Sequence, residues 1–378
     1  MDIPDASRRH RRRGFRLSFG LLLLALSPVP LALFIAGRSD FDPAPFPADF
    51  LQPSPAAETE HGAMLATGEL VGEGKLPGPE DLAYDEEEGY LYTGCADGWI
   101  RRVLLAGEAA VEDWADVGGR PLGVALSPDG GLVVAESEKG LLKVSKERKI
   151  TLLTDEADGQ KFKLTDGVHV ASDGTIFFTD ASYKYDLESH FLDFLEGRPH
   201  GRLLSYNPVT NHTTVLARDL YFANGISVAP DQNSLIFCET PLRRCRRYHI
   251  RGEKNGTIEE FMENLPGFPD NIRYIRDNNY LIALCTERNL LWDLLMKYPL
   301  LRKLKFLLGS HLANIPPMRN SGLMRVSLDG KPMAIFSDPH LSLVTSGLQI
   351  GKHLYFGSLH ENHILRVDLT KLENVANK

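Results

Sequence analysis

Beyond residue 60 the chain alternates apolar and polar positions with period two, and the alternation comes in a repeating unit. Each unit opens on one or two polar or small residues and continues as an alternating apolar run. It then turns at Asp or Gly and returns as a second run rich in β-branched and aromatic residues. Six copies are present: "PEDLAYDEEEGYLYTG", "RPLGVALSPDGGLVVAE", "TDGVHVASDGTIFFTD", "ANGISVAPDQNSLIFCE", "PDNIRYIRDNNYLIAL" and "TSGLQIGKHLYFGS". Each reads as a β-hairpin. The leading apolar residue of the first strand falls at Leu82, Val124, Val168, Ile226, Ile272 and Leu348, spaced by 42, 44, 58, 46 and 76 residues. Runs such as "GLLKVS", "GRLLSYNPVT", "CRRYHI", "GLMRVSLDG" and "ILRVDL" supply outer strands. Four-stranded units repeated six times predict an all-β, six-bladed propeller at residues 61–378, since blades take about 40 to 50 residues each. A two-sheet sandwich is the alternative, and it does not account for so regular a repeat. The opening "GAMLATGELVG" is expected to add a strand to the last blade and close the ring.

The two long spacings hold insertions. One contains "YDLESHFLDFLEG", a short helical segment. The other, "NLLWDLLMKYPLLRKLKFLLG" at 289–309, is apolar and broken by Pro299, with basic residues at Lys297, Arg302, Lys303 and Lys305. It reads as a helix packed on the propeller, a lid over the channel, or a surface helix touching lipid.

The first 60 residues differ from the rest. Residues 1–16 hold six arginines and read as a basic cytoplasmic tail. Residues 17–36, "LSFGLLLLALSPVPLALFIA", carry no charge over 20 residues, enough for a transmembrane signal-anchor. Basic residues before a first span keep the N-terminus cytoplasmic. The expectation is a single-pass type II membrane protein of the secretory pathway (endoplasmic reticulum, vacuole or plasma membrane), with the propeller on the luminal or extracellular side. A cleaved signal, leaving a secreted or vacuolar protein, is the alternative. It lacks a good cleavage site, because cutting after Ala36 puts Phe34 at −3. Residues 37–60, rich in Pro and acid, read as a linker. On a translocated chain the triplets Asn211-His212-Thr213 and Asn255-Gly256-Thr257 are expected glycosylation sites.

Charge removes one class of partner. Of 42 Lys and Arg, 36 lie beyond residue 16, as do 48 of 50 Asp and Glu, a formal −12 for the body. So acidic a body argues against nucleic-acid binding. Four cysteines make no disulfide framework; Cys238 and Cys245 read equally as a hairpin bridge or a buried thiol pair.

Candidate chemistry lies where the inner strands begin. In a propeller the first strand of each blade lines the central channel, and the residues before it sit at the channel mouth. The two positions before each leading apolar residue are Glu80-Asp81, Leu122-Gly123, Asp166-Gly167, Asn224-Gly225, Asp270-Asn271 and Ser346-Gly347. Four of the six put a carboxylate or amide there. Converging oxygen donors without His or Cys suit a hard cation, and calcium takes 6 to 8 oxygens in flexible geometry. The alternative is that these residues cap turns. No G-x-S-x-G elbow and no phosphate-binding glycine loop occurs. His169, His200, His340, His360 and His363 are secondary candidates, each more simply a packed or surface residue.

The stretches "GPEDLAY", "GRPLGVALSPDG", "GTIFFTDASYKY", "LEGRPHGRLLSYNPVT", "LYFANGISVAPD", "CETPLRRCRRYHI" and "LPGFPDNIRY" resemble the strictosidine synthase-like proteins of plants and the animal adipocyte plasma membrane-associated protein. The resemblance covers nearly all of 61–370. It implies the six-bladed propeller shared with paraoxonases and gluconolactonases, calcium-dependent hydrolases of esters and lactones. It further implies Glu80, Asn224 and Asn271 as metal ligands, with Asp166 where those hydrolases carry Asn, and Asp270 as general base or further ligand. Two departures matter. Leu122 stands where paraoxonase-like enzymes have a channel histidine. Thr345 and Ser346 stand where strictosidine synthase has its glutamate, which argues against the amine–aldehyde condensation. The expectation is a Ca²⁺-dependent hydrolase of a small ester or lactone, with a binding or scaffold propeller around a structural cation as the alternative.

Overall fold

Six antiparallel units of four strands radiate from one axis in this computed structural model, which describes residues 40–371 apart from 49, 62–66, 108, 276 and 309–318. The inner strands are Leu82–Asp85, Pro121–Leu126, Thr165–Val170, Ala223–Val228, Gly267–Ile275 and Val344–Ile350, one for each of blades 1 to 6. Each sheet proceeds outward in chain order. Blades 5 and 6 are the exceptions: blade 5 gains a fifth, outermost strand at Glu58–His61, and the outermost strand of blade 6 is Glu69–Val71, which pairs with Ile364–Asp368 through Leu70 and Leu365. The N-terminal end of the propeller therefore closes the ring, as the sequence predicts.

The core lies between blades. Leu82, Leu91 and Val103 of blade 1 pack with Tyr355 and Ile364 of blade 6. Ala125 and Val133 of blade 2 pack with Val168 and Phe178 of blade 3. Both faces of an inner strand are thus covered, and the strand in blade 4 is buried at all six positions. Where inner strands converge at the channel mouth, a side chain would not fit. A Cβ at Gly123 would lie 2.4 Å from the carbonyl oxygen of Asp166, and one at Gly225 would lie 2.5 Å from that of Asp270.

Both insertions join second to third strands and so emerge on one face. Helix α1 (His190–Glu196) comes from blade 3; α2 (Leu290–Lys297) and α3 (Pro299–Leu308) form a hairpin from blade 5. Asn289 caps α2 by accepting from the amide of Trp292 at 2.9 Å, and Pro299 opens α3 where its missing N–H costs nothing. The hairpin both packs on the propeller and roofs the channel.

The stretch read as a linker is a correction. Residues 37–39 lie outside the description, but the rest packs onto the helices. Phe41, Phe46 and Phe50 are buried. Arg302 donates to the Ala44 carbonyl, Arg243 to that of Phe50 at 2.7 Å, and Arg288 to that of Leu51 at 2.9 Å. Glu58–His61 then adds in parallel to the outer edge of blade 5. Proline and acid content suggested solvation; the three phenylalanines supply the apolar surface that overrides it. Cys238 and Cys245 pair across neighbouring strands of blade 4 and are disulfide-bonded. The basic tail and the apolar span at 17–36 lie outside the described residues, within which no helix is long and apolar enough to cross a membrane.

Candidate metal centre

Three inner strands, those of blades 1, 4 and 5, are held at their start by hydroxyls of the preceding blade in the ring. Thr179 donates to the carbonyl of Asn224 at 2.8 Å, and Thr240 to that of Pro269 at 2.7 Å. Thr345 and Ser346 both donate to the carbonyl of Glu80, at 2.8 and 2.5 Å. Thr345 and Ser346 of blade 6 thus fix the backbone of an acid in blade 1. The side chains of Glu80, Asp166 and Asp270 converge on one point: one oxygen from each lies within 4.8 Å of the others. All three are buried.

Three carboxylates this close in an apolar setting cannot all be ionised unaided. Burial, then the charge of Asp270, pushes Glu80 well above the ordinary carboxylate value. The same two causes raise Asp166. Burial raises Asp270 to about 7, although the Cys285 thiol and the Asn224 amide oppose it. Cys285 donates to Asp270 Oδ2 at 2.8 Å, and burial keeps its own pKa high, so it is a hydrogen-bond donor and no nucleophile. Asn271 Nδ2 donates to Glu80 Oε1 at 2.9 Å. Glu80 Oε2 and Asn224 Oδ1 are buried without any hydrogen-bond partner. Orphaned acceptors beside clustered carboxylates are what a hard cation satisfies, and the all-oxygen donor set suits calcium rather than zinc.

Above the acids lies a cavity of about 550 Å³. Its walls are aromatic and aliphatic, including Phe191 and Phe194 of α1, Trp292 of α2, Phe222 and Phe268. Phe222 and Leu343, which immediately precede inner strands, hold left-handed backbone at φ 48° and 51°. Bulky residues adopt such backbone only where the surroundings impose it, at a cost of about 1–3 kcal/mol each. Arg120 lines the wall with Nη1 on the Gly78 carbonyl at 2.8 Å and Nη2 unpartnered. His190 Nδ1 meets the Leu187 carbonyl at 2.6 Å, which leaves Nε2 as the acceptor, and burial keeps the ring neutral.

The structure thus brings Glu80, Asp166, Asn224, Asp270 and Asn271 to one place. Asp270 stands inside the acidic trio rather than apart from it. Asn271 faces Glu80 with its nitrogen, and a flip of the amide would offer its oxygen instead. His169 lies at the opposite channel mouth, its pKa lowered to about 4 by burial. His200 is bound to Asp193 at 3.0 Å and props α1. His340 and His363 do not line the cavity, whereas His360 sits at its rim. Asn211 and Asn255 are exposed in turns between third and fourth strands. Sequence reasoning passed over His190, Cys285 and the aromatic walls. The apolar positions of "HFLDF" and of "LLWDLLM" were their only signal.

The fold and ring define a six-bladed propeller with an acid-lined channel mouth under a helical roof. Family models agree: "Strictosidine synthase" matches residues 166–253 and "Strictosidine synthase-like, N-terminal" matches 63–103. Protein strictosidine synthase-like 7 of Arabidopsis thaliana is 48% identical over 94% of this chain and 96% of its own. The human adipocyte plasma membrane-associated protein is 30% identical over 94% and 91%. The chain belongs to the strictosidine synthase-like family. Among solved structures, a gluconolactonase from Xanthomonas campestris superposes with TM-score 0.59 at 17% identity, over 84% of this chain and 99% of that one. A regucalcin from Agrobacterium tumefaciens, described as a calcium-binding protein, gives 0.59 at 14% identity, over 82% and 95%. Likeness at these identities shows the shared propeller alone.

Proposed function

We propose that this protein is a membrane-anchored, calcium-dependent hydrolase of esters or lactones. The observation that carries the proposal is the pair of orphaned oxygens, Glu80 Oε2 and Asn224 Oδ1, beside Asp166 and Asp270 on the floor of an apolar cavity. Names of relatives support it: one similar structure is a gluconolactonase and another a calcium-binding protein. Glu80, Asp166, Asn224 and Asn271 would hold the ion. Bound there, Ca²⁺ would polarise the carbonyl of the scissile bond. Asp270, with a pKa near 7, is suited to take a proton from water at neutral pH, and the Cys285 thiol orients it. The aromatic walls exclude water and accept the apolar part of a small ester or lactone. Nothing at Thr345 or Ser346 supplies the carboxylate that an amine–aldehyde condensation would need, and both hydroxyls serve the Glu80 carbonyl.

One observation favours the alternative of a binding propeller with a structural cation: Leu122 lines the cavity where a histidine base would stand.

For location, the proposal keeps an uncleaved anchor at 17–36 and a luminal or extracellular propeller. A buried disulfide at Cys238–Cys245 suits such an oxidising compartment, as do exposed sequons at Asn211 and Asn255. The name of the adipocyte relative supports membrane association.

The test is hydrolysis of a panel of aryl esters and lactones by the full-length protein, with calcium and after chelation. The expected result is turnover that needs calcium and is lost in Asp270→Asn, with folding retained. Calcium-stabilised protein that hydrolyses no member of the panel would give the scaffold reading the lead.

A further inference from the structure

Eleven large apolar side chains are exposed among the described residues, and six of them fall within residues 290–301: Leu290, Leu291, Leu294, Tyr298, Leu300 and Leu301. They share the outer side of the α2–α3 hairpin. The inner side is spoken for: Trp292 and Met296, one turn apart, are buried beneath it, and Arg302 is buried against the Leu195 carbonyl at 2.9 Å. Residues 294–308 carry Lys297, Arg302, Lys303 and Lys305 and no acid, in a body whose formal charge is −12. A leucine surface fringed by lysines on short helices is the pattern of segments that lie in a membrane interface. At 8 and 10 residues these helices reach about 12 to 15 Å, far short of a span.

A second observation, independent of that surface, says what covers it. The described chain enters on this same face. The Asp40 carbonyl accepts from Lys184 at 2.8 Å, Phe41 stacks on Phe306 of α3 with centroids 4.4 Å apart, and the Asp42 amide donates to Glu196 of α1 at 2.9 Å. The uncharged run ends at Ala36, four residues earlier. Four residues reach at most about 14 Å. With the proposed anchor at 17–36, the bilayer would lie within that distance of the point where the chain meets α3. The opposite face carries both sequons, since turns between third and fourth strands emerge away from insertions between second and third strands. Glycans there would meet no lipid.

We infer that the outer face of the α2–α3 hairpin rests on the lipid surface that holds the anchor, so that the cavity roof is also the membrane-contacting face of the propeller. Leu290, Leu291 and Leu294 enter the interface, and Lys297, Lys303 and Lys305 meet headgroup phosphates and carboxylates. The inference rests on the proposed anchor at 17–36 and is independent of the chemistry that the acidic ring performs.

Full-length protein in vesicles of phosphatidylcholine with about a third phosphatidylserine, doped with a photoactivatable acyl-chain lipid, tests it by mapping adducts. Adducts are expected within 290–301 and absent from 205–215 on the opposite face. Adducts confined to 17–36, or found at 205–215 instead, overturn the inference. A Leu290→Ser, Leu291→Ser, Leu294→Ser variant changes exposed positions only, so its unfolding midpoint should match wild type. It should keep adducts in 17–36 and lose those in the hairpin; persistent hairpin adducts overturn the inference. Lys297→Glu, Lys303→Glu, Lys305→Glu should cut hairpin labelling at least about fivefold when phosphatidylserine is present. No response to that change overturns the contact of these lysines with headgroups. An unlabelled hairpin in a protein of dimer mass would assign the surface to a second copy and likewise overturn it.

Discussion

The two ends of the central channel are built from the same inner strands, yet they treat acids in opposite ways. One residue below the ring, Asp81 is fully served: Oδ1 accepts from the Leu82 amide at 2.8 Å and from Arg273 at 2.7 Å, and Oδ2 accepts from the Val124 amide at 3.0 Å. Its charge is matched by Arg273 from blade 5, and the Asp81–Arg273 pair separates the ring from the opposite mouth. At the ring itself, Glu80, Asp166 and Asp270 converge with no such cation between them, and two acceptors are left orphaned. Among the described residues Arg120 is the only Lys or Arg lining the cavity, and it spends one nitrogen on a carbonyl. A fold that pairs one buried acid with a cation and gathers three others without one has the chemistry of a site whose counter-charge comes from outside.

The largest expected effect removes the bare end. Glu80→Ala with Asp166→Ala should abolish calcium-dependent hydrolysis, with kcat/KM falling by about a thousandfold or more, as loss of a Lewis acid predicts. Retained turnover in that variant would place the chemistry elsewhere. Next, single substitutions at the two ends should differ in sign. In chelator, Asp81→Asn leaves Arg273 half-buried without its partner and should cost about 1–3 kcal/mol in urea denaturation. Asp270→Asn in the same buffer relieves repulsion and should leave stability unchanged or raised. Equal destabilisation by both would erase the contrast.

The pH dependence follows with a definite sign. Asp270 has a folded pKa of about 7 against the ordinary aspartate value of 3.8, so between these the folded state binds more protons than the unfolded one. The stability that Asp270 itself contributes to the metal-free protein should therefore be greatest below about pH 4 and be lost as pH rises to 7, a decline read as the difference between wild type and Asp270→Asn. Calcium, which needs the deprotonated acids, should flatten that decline at pH 8. A smaller effect belongs to Cys285. Its hydrogen bond holds Asp270 down, so Cys285→Ala should raise the midpoint of the decline by about 0.7 in pH, for a bond worth about 1 kcal/mol. An unmoved midpoint would mean that the decline reports another group.

Much of this was legible beforehand because a repeat aligns its own equivalents. Six hairpins with one period put Glu80, Asp166, Asn224 and Asp270 in register, and a closed ring turns register into proximity. What stayed hidden depends on contacts between distant or unrepeated segments. Arg273 lies 192 residues from Asp81, and no local pattern pairs them. Phe41, Phe46 and Phe50 sit among prolines and acids, and they become core only because α1 to α3 present a matching face. The insertions showed apolar residues on every side, so Trp292 over the cavity and Leu291 in solvent were indistinguishable until the helix orientation was known. Thr345 and Ser346 looked like the loss of a functional acid; their bonds to the Glu80 carbonyl show a structural task instead.

The central claim is that the bare end of the channel awaits a cation. Thermal unfolding of the full-length protein, with calcium and after chelation, tests it most directly when run beside Glu80→Ala, Asn224→Ala. A hundredfold excess of calcium over its Kd stabilises the folded state by about 2.7 kcal/mol. The account predicts a midpoint several degrees higher with calcium for wild type and no response in the variant. A wild type indifferent to calcium, or a variant that responds as fully as wild type, would contradict it.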